Sequence, residues 1–396
     1  MKLKENLQRG RIISIDAFRG ITIFIMIFVN ELAGKSNIPQ WLNHMPADAD
    51  AMTFVDLVFP AFLFIVGMSI PFSFNARIRI GDSAVSIWTH TLKRAAALII
   101  MGVFMVNAEY GYNKSMMLIT PALWGFLAYT LPVPVWNRYG KDFPVYLKKI
   151  LQYGGMMGFI VLYFLYIRED GSRGMTPKWW GILGLIGWAY LLSVIVYWIS
   201  KGRLYLLIAF FFVCVAANSI SNIDGLAING MRWFGFLAGH MVHATLVVAG
   251  IIVSLLFFEL KPKAAINWPV VAAIAVFFIL GYLLRPYFEV SKIRGTPSWT
   301  LYSAGFCTLL YYLLNFIMEQ RGINKWSEFI MPSAENPLLI YILPGILIYL
   351  VMSIGVAYVP GFFRSGFPAV IWSMAFAVLM LYVVRLLNRL GIRLHL

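Results

Sequence analysis

Charged residues are scarce in this sequence, and their scarcity excludes the largest class of proteins. Asp, Glu, Lys and Arg together make up 12% of the 396 residues, whereas about a quarter of the residues in a soluble globular domain are charged. Hydrophobic residues account for 61% of the chain, and no hydrophilic stretch is long enough to form a soluble domain. We therefore expect any chemistry to take place within a membrane-embedded bundle or at its two ends.

Cysteines are few, and the common nucleotide-binding and hydrolase motifs are absent from the sequence. The two cysteines, Cys214 and Cys307, both fall in apolar runs, so we expect small packing residues and neither a disulfide framework nor a metal pair. The chain has no GxxxxGK[ST] loop, no GxGxxG fingerprint and no GxSxG elbow. Nucleotide hydrolysis and α/β-hydrolase chemistry therefore have no support.

What the sequence does contain is a series of apolar runs, each long enough to cross a hydrocarbon core of about 30 Å. The runs lack the alternating period of barrel strands, and helices satisfy the backbone in lipid. We predict an all-α, polytopic transmembrane helix bundle of about 12 spans, within a range of about 10–12. The predicted spans are 15–34, 53–74, 91–107, 117–136, 147–167, 179–199, 203–219, 241–259, 267–287, 298–318, 333–353 and 366–387.

The net charge of +15 follows topology rather than a nucleic-acid-binding surface. With the N-terminus in the cytoplasm, Lys and Arg are about twice as frequent on the cytoplasmic side as on the opposite side, which is the positive-inside pattern. This pattern places both termini in the cytoplasm. The basic segment 1–11 precedes a span without a small-residue cleavage site, so we expect a retained helix rather than a removed signal peptide.

The most informative stretch is 11–74, where two apolar spans flank a short polar loop, WLNHMPADAD. Polar groups near the ends of membrane spans are costly unless they are paired or used. His44 can accept a proton or act as a nucleophile near neutral pH; the alternative is a solvated loop histidine. We predict that Asp48 and Asp50 hold its ring in one tautomer, and that Asn30 donates a hydrogen bond to a developing oxyanion.

Asp56, at the start of the second span, has two compatible interpretations. With Thr53 it forms a capping-box-like helix start, with the carboxylate near the positive end of the helix dipole; alternatively, it takes a direct part in the chemistry. Pro60, four residues later, is predicted to kink the helix and free a carbonyl group toward the bundle interior.

A basic rim is predicted at the inner ends of the spans. Asp16 and Arg19 are three residues apart and share a helix face. They form either an interfacial ion pair or a site where Arg19 faces a cofactor phosphate. Lys93 and Arg94 lie on the same side, and either contribute to that phosphate site or serve topology.

Two further groups of residues lie at the outer ends of the spans. His240 and His243 share a helix face, and we expect interfacial or substrate-contacting histidines rather than a metal site, because no third ligand is nearby. Trp41 and the other loop tryptophans are expected to be interfacial anchors. The alternative is a platform on which a sugar ring stacks.

Five stretches of the sequence show a resemblance to a known family. SIDAFRGITIFIMIFVN (14–30), the histidine loop and TFVDLVFPAFLFIVGMSI (53–70) resemble the opening signature of the transmembrane acyltransferases related to heparan-α-glucosaminide N-acetyltransferase. The similarity is greatest to the bacterial branch, the DUF5009 group and the NagX-like proteins. TPSWTLYSAGF (296–306) and PSAENPLLIY (332–341) resemble two further family blocks. The loop HMPADADAMT departs from the shorter H-x-x-W-x-G-x-T of many members, which bears on acceptor identity.

The resemblance implies one membrane domain over 1–396 that moves an acetyl group from cytoplasmic acetyl-CoA to an amino sugar or glucosaminide on the extracytoplasmic side. It implies a multi-pass protein of the bacterial inner membrane, with membrane lipid but no nucleic acid as a partner, and with a homodimer as one oligomeric option. No metal is expected. The resemblance places the family's catalytic histidine at His44, the Asn of its first block at Asn30 and the Asp of D-L-V-F-P at Asp56. From the residues themselves, we expect Arg19, Lys93 and Arg94 to bind acetyl-CoA, and the acceptor to contact Trp41, Asp48, Asp50, His243 and Asn336.

Two other functions stay open at this point. A sugar or amino-sugar permease without chemistry fits many spans with a polar interior, although no matched pair of broken helices is evident in two halves of the chain. An O-acetyltransferase of an envelope glycan is the other alternative. Within the acetyltransferase hypothesis, an acetyl-imidazole intermediate and direct transfer to the amine are both open.

Overall fold

The computed structural model describes residues 12–223, 232–259 and 266–396, and within these residues the chain is helical without a β-strand. This confirms the all-α fold class. The basic segment 1–11 and residues 224–231 and 260–265 lie outside the described residues. The α-helices are α1 (Ile13–Leu32), α2 (Val55–Arg79), α3 (Ala84–Glu109), α4 (Pro121–Thr130), α5 (Pro132–Trp136), α6 (Val145–Leu165), α7 (Gly181–Ile199), α8 (Leu204–Ser221), α9 (Arg232–Phe258), α10 (Trp268–Phe288), α11 (Pro297–Asn315), α12 (Met331–Glu335), α13 (Pro337–Ser353) and α14 (Gly366–Arg389).

Among the described residues, 9 helices are long and apolar enough to cross a membrane. They are α1, α2, α3, α7, α8, α9 from Trp233, α10, α11 with its continuation to Gln320, and α14. Each coincides with one of the predicted spans, so the protein is a multi-pass membrane protein. The total of twelve spans and the cytoplasmic placement of both termini stay predictions.

The three remaining predicted spans are helical but shorter or more polar. The span 117–136 divides into α4 and α5, because Pro132 lacks a backbone N–H and restricts the residue before it. The span 147–167 forms α6, whose first turns carry Lys148 and Lys149. The span 333–353 is shortened to α13, of 17 residues.

The chain forms two compact units by its internal contacts. Unit 1 comprises Met1–Thr22, Pro39–Ala95 and Ile186–Trp326, and unit 2 comprises Ile23–Ile38, Ala96–Leu185 and Ser327–Leu396. Helices α1, α3 and α7 contribute residues to both units.

Unit 1 is built around the close packing of α2 on α9. A Cβ atom at Gly67 would lie 1.9 Å from the carbonyl oxygen of Val247, and one at Gly250 would lie 2.0 Å from the carbonyl oxygen of Phe64. Two backbones can approach so closely only where side chains are absent, which is how small residues join helices in membranes. The pair fixes α2, and with it the loop that precedes α2.

Unit 2 has a reciprocal contact between α4 and α13. A Cβ atom at Gly125 of α4 would lie 2.6 Å from the Tyr349 ring, and one at Gly345 of α13 would lie 2.3 Å from the Tyr129 ring. Each helix therefore supplies a glycine against which the tyrosine of the other helix rests. The two rings lie 5.4 Å apart, centroid to centroid.

Candidate active site

The histidine loop, residues 43–54, brings His44 against the first turn of α2. His44 Nδ1 lies 2.6 Å from Asp56 Oδ1. The Asp56 side chain is 1% exposed, whereas the His44 side chain is 43% exposed. A buried carboxylate thus holds a partly accessible imidazole, which is the arrangement by which a carboxylate orients a catalytic base.

The second oxygen of Asp56 caps the helix start. Asp56 Oδ2 accepts hydrogen bonds from the backbone N–H of Thr53 at 3.0 Å, the Thr53 hydroxyl at 3.3 Å and the backbone N–H of Met45 at 3.4 Å. The Thr53 contact is the reach-back half of a capping box. The Asp56 half of the predicted capping box is therefore present, although the N-cap position is Phe54 and makes no side-chain cap bond; the same carboxylate also contacts the histidine.

The hydrogen bond to Asp56 sets the roles of the two ring nitrogens. A carboxylate only accepts, so Nδ1 carries the proton that Asp56 receives, and in the neutral ring Nε2 keeps its lone pair. Sequence reasoning placed Asp48 and Asp50 beside the ring as orienting carboxylates. The structure corrects this: Asp56 occupies that position, because the loop folds back onto the start of α2.

Asp50 instead fastens the histidine loop to the lysine loop, residues 289–296. Its carboxylate accepts from Arg285 Nε at 2.9 Å and from the backbone N–H of Val290 at 2.7 Å. The Ser291 hydroxyl donates to the carbonyl of Ala47 at 3.0 Å. Asp48 is exposed and contacts neither of these groups. A direct substrate contact for Asp48 or Asp50 stays a prediction.

Lys292 of the lysine loop is a site residue that sequence reasoning missed. Its Nζ lies 3.1 Å from His44 Nε2 and 3.2 Å from His44 Nδ1. A point so nearly equidistant from both nitrogens cannot lie along either in-plane hydrogen-bond direction, so the amine sits over the ring. Burial lowers the pKa of Lys292, while the negative charge of Asp56 opposes that shift. One lysine in a polar loop carries no sequence signal of this contact.

The start of α11 adds a second hold on Asp56, through its backbone. Pro60 has no N–H to donate to the carbonyl four residues earlier. Trp299 Nε1 donates to that carbonyl, the Asp56 oxygen, at 3.4 Å. Trp299 is 1% exposed and is placed by Thr296, whose side chain caps α11. The freed carbonyl predicted from Pro60 is therefore present and has a partner.

The predicted phosphate-binding residues all lie in unit 1. Arg19 pairs with Asp16 at 2.8 Å and donates to the Ser69 hydroxyl at 3.0 Å. The ion-pair interpretation of these two residues is confirmed. The guanidinium of Arg94 lies over the Tyr190 ring, and Lys93 is exposed. Contact of these residues with a phosphate stays a prediction.

The remaining predicted residues have varied surroundings. Trp41 is 61% exposed and leans on Phe54, while His243 contacts the carbonyl of Gly239 and the ring of Phe59. Asn30 belongs to unit 2, where it is exposed to a cavity, so its predicted oxyanion role stays a prediction.

Asn336 requires a correction, because the structure gives it a structural place in unit 2. It is fully buried, and its amide donates to Asn388 Oδ1 and to the carbonyl of Ile392, while its oxygen accepts from the backbone of Leu394. Residues near the C-terminus thus form hydrogen bonds with both the NH₂ group and the oxygen of the Asn336 side chain. The predicted substrate contact of Asn336 is replaced by an anchoring role.

Taken together, unit 1 presents one accessible imidazole nitrogen, a buried carboxylate behind the ring and an amine over its face. An imidazole so oriented can take a proton from a nucleophile or attack an electrophile itself. The nearby ammonium form of Lys292 can stabilise negative charge that develops on a carbonyl oxygen or a leaving group.

Comparison with known proteins gives one family and two relatives. The profile of the family described as Domain of unknown function (DUF5009) matches residues 11–236. The chain is similar to heparan-alpha-glucosaminide N-acetyltransferase of Homo sapiens, with 37% identity over 100 residues, which are 25% of this chain and 14% of the relative. The Mus musculus protein of the same name is 35% identical over 101 residues, or 26% of this chain and 15% of the relative. The matched stretch thus spans only a small part of these relatives' length.

Proposed function

The chain belongs to the family Domain of unknown function (DUF5009), and from this premise we propose that it is a membrane acyltransferase that works through His44. The donor is acetyl-CoA and the acceptor is an amino sugar or glucosaminide. The similarity to two proteins named N-acetyltransferases supports the reaction class. The observation that carries the proposal is the 2.6 Å contact between His44 Nδ1 and the buried Asp56 carboxylate.

In the two-step form of the reaction, the lone pair of His44 Nε2 attacks the thioester carbonyl carbon. The C–S bond breaks, the thiolate leaves, and an acetyl-imidazolium remains because Nδ1 keeps its proton. The acceptor amine then attacks the same carbon, the bond to the ring nitrogen breaks, and the freed Nε2 takes the proton that the amine loses. In the one-step form, the amine attacks the thioester directly, Nε2 takes the amine proton, and the C–S bond breaks with the thiolate as the leaving group.

Asp56 and Lys292 serve both forms. Asp56 keeps the proton on Nδ1 and stabilises the positive charge that the ring gains during the reaction. The Lys292 ammonium stabilises the negative charge of the carbonyl oxygen or the departing thiolate. Arg19, Lys93 and Arg94 are the residues we expect to meet the phosphates of the donor.

The proposal is tested with the full chain reconstituted in sealed vesicles. Labelled acetyl-CoA is supplied on one side of the membrane and glucosamine on the other, and acetylated sugar is measured. We expect transfer by the wild type, loss of transfer in His44→Ala, and retention in the matched control His90→Ala. Retained transfer in His44→Ala would remove the histidine from the mechanism.

The products separate the proposal from its alternatives. An amide product supports transfer to nitrogen, whereas an ester cleaved by hydroxylamine indicates O-acetylation. Unmodified glucosamine crossing the membrane without any acetylated product would favour a permease. After rapid quenching with acetyl-CoA alone, acetylated His44 in the protein would indicate the two-step form, and its absence the one-step form.

A further inference from the structure

Unit 2 contains a cavity, lined by both polar and apolar residues, that the proposed chemistry of His44 does not use. Its volume is about 430 Å³, within the usual range for small-molecule sites. It adjoins a larger, more open space of about 740 Å³, with which it shares Asn30, Glu31, Ala33, Ile348 and Met352 as lining residues. Exposed residues such as Gly355 line the larger space, which gives the cavity access to the surface.

The lining of the 430 Å³ cavity is acidic and aromatic. Glu31 and Glu109 both contribute, and no Lys, Arg or His is among the described residues that line it. Within the part of the chain that the structure describes, the Glu109 carboxylate makes no hydrogen bond, and its electrostatic partner Lys178 lies outside the lining. The cavity therefore favours a cation.

The Glu31 side chain is already engaged, which leaves Glu109 as the available charge. Glu31 pairs with Lys35 at 3.2 Å and accepts from Trp372 Nε1 at 2.8 Å and from the Tyr358 hydroxyl at 3.1 Å. These three donors hold the Glu31 carboxylate in a fixed position. Its charge is balanced by Lys35, whereas no lining residue balances Glu109.

Phenol groups and the Asn30 amide supply the rest of the polar lining. The cavity is lined by Tyr112, Tyr129, Tyr341 and Tyr349, and their hydroxyls form no hydrogen bonds with other described residues. Tyr129 is buried, with 9% of its surface exposed, and the other three tyrosines are half-buried. A phenol hydroxyl that meets a cavity instead of a protein partner can donate to or accept from a ligand, so four of them around one space favour a ligand with several hydroxyls.

The aromatic walls are fixed rather than adaptable. Gly345 and Gly125 allow the rings of Tyr129 and Tyr349 to rest directly on the α13 and α4 backbones. Any side chain at either glycine would displace the tyrosine ring that rests on it. Such preorganised aromatic faces attract ammonium groups, and the C–H face of a sugar ring packs on the same surfaces.

We propose that this cavity binds a small organic cation bearing hydroxyl groups, with its ammonium at Glu109 and its hydroxyls at the tyrosines. The choice of a protonated amino sugar as that cation rests on the proposed function; the ammonium and hydroxyl chemistry follows from the cavity alone. An anionic ligand is disfavoured by the two carboxylates. A bare metal ion leaves most of a 430 Å³ space unfilled.

The test measures equilibrium binding to the full chain in lipid nanodiscs, without acetyl-CoA, by titration calorimetry. Glucosamine is compared with glucose, which lacks the charge, and with N-acetylglucosamine, which has a neutral amide. We expect glucosamine to bind about tenfold or more tightly than either, since hydrogen bonds to charged groups are the stronger ones. Equal binding of the three sugars would overturn the proposal.

Two variants locate the preference. Glu109→Gln keeps the shape but removes the charge, and is expected to abolish the preference for glucosamine. Glu109→Asp keeps the charge, should retain the preference, and shows that the position tolerates substitution. The matched control Glu169→Gln changes a carboxylate outside the lining and should bind as the wild type. A preference that survives Glu109→Gln contradicts the assignment, as does heat released by sodium chloride but not by glucosamine.

The experiments can refute the proposed function and the cavity proposal independently of each other. His44→Ala should lose acetyl transfer yet bind glucosamine as the wild type does. Transfer without selective binding would refute the cavity proposal and leave the acyltransferase proposal intact. Selective binding without any transfer would do the reverse.

Discussion

Replacing Asp56 by Asn is the sharpest perturbation of the candidate active site, because it removes one charge and almost no volume. The carboxylate is 1% exposed, so water cannot take its place. It accepts from His44 Nδ1 and from three donors of Thr53 and Met45. An amide offers only one acceptor oxygen, and its NH₂ group must face at least one of these donors.

The size of the effect follows from the bond that is lost. A hydrogen bond to a charged group contributes about 1.5–3 kcal/mol. Because each 1.36 kcal/mol is a factor of ten in rate, losing this support for a developing imidazolium slows transfer by about 10- to 150-fold. Loss of a hydrogen bond to the backbone of Thr53 or Met45 also destabilises the fold by about 1 kcal/mol, so the melting temperature should fall modestly.

The assay is the initial rate of labelled acetyl transfer in reconstituted vesicles, normalised to the folded protein recovered by gel filtration. Asp82→Asn is the matched control, because Asp82 pairs with Arg77 at the other end of α2 and lies far from the histidine in sequence. A rate for Asp56→Asn within threefold of the control would refute the role given to this carboxylate.

Two further predictions concern a charge and a contact. Burial lowers the pKa of Lys292 below its ordinary 10.5. When the pH is below this lowered pKa, the lysine is protonated in both the folded and the unfolded chain, and burying its charge costs stability. That cost is relieved as the pH rises from the lowered pKa toward 10.5, so the wild type should gain thermal stability relative to Lys292→Met as alkaline pH approaches 10.5; a constant difference would contradict this. Gly345→Ala places a Cβ atom 2.3 Å from the Tyr129 ring, and should destabilise the protein by about 1–3 kcal/mol. Gly154→Ala, which meets open space, should melt as the wild type or slightly higher.

The parts of the fold that sequence reasoning predicted are those set by local patterns. Apolar runs located the nine long helices found among the described residues, and Thr53 with Asp56 located the start of α2. The predicted span 117–136 broke at Pro132, where the absent N–H outweighs hydrophobicity. Hydropathy reflects the average polarity of a segment. It therefore does not detect the single backbone hydrogen bond that a proline removes.

The candidate site was only half predictable, because its key contacts join distant parts of the chain. His44 and Asp56 are only 12 residues apart, and both lie in the stretch 11–74 from which the site was predicted. Lys292 lies 248 residues from His44, and Arg285 lies 235 residues from Asp50. No local sequence pattern encodes such pairs. The identity of the carboxylate that orients His44 therefore depends on how the histidine loop folds back onto α2.

Asn336 illustrates the opposite error. An amide within an apolar block has the same appearance in sequence whether it faces a substrate or the protein. Its partners, Asn388, Ile392 and Leu394, lie in the last segment of the chain. When these partners are unknown, the cost of burying an amide suggests a functional role for Asn336. In the folded chain, the hydrogen bonds to these partners offset that cost.

The pairing of Pro60 with Trp299 has an evolutionary consequence. The indole has an acceptor only because the imino acid leaves the Asp56 carbonyl without its helical donor. An ordinary residue at position 60 would restore that donor, and the tryptophan would then compete for an occupied oxygen. Across related sequences we therefore expect these two positions to covary, with proline and tryptophan gained or lost together.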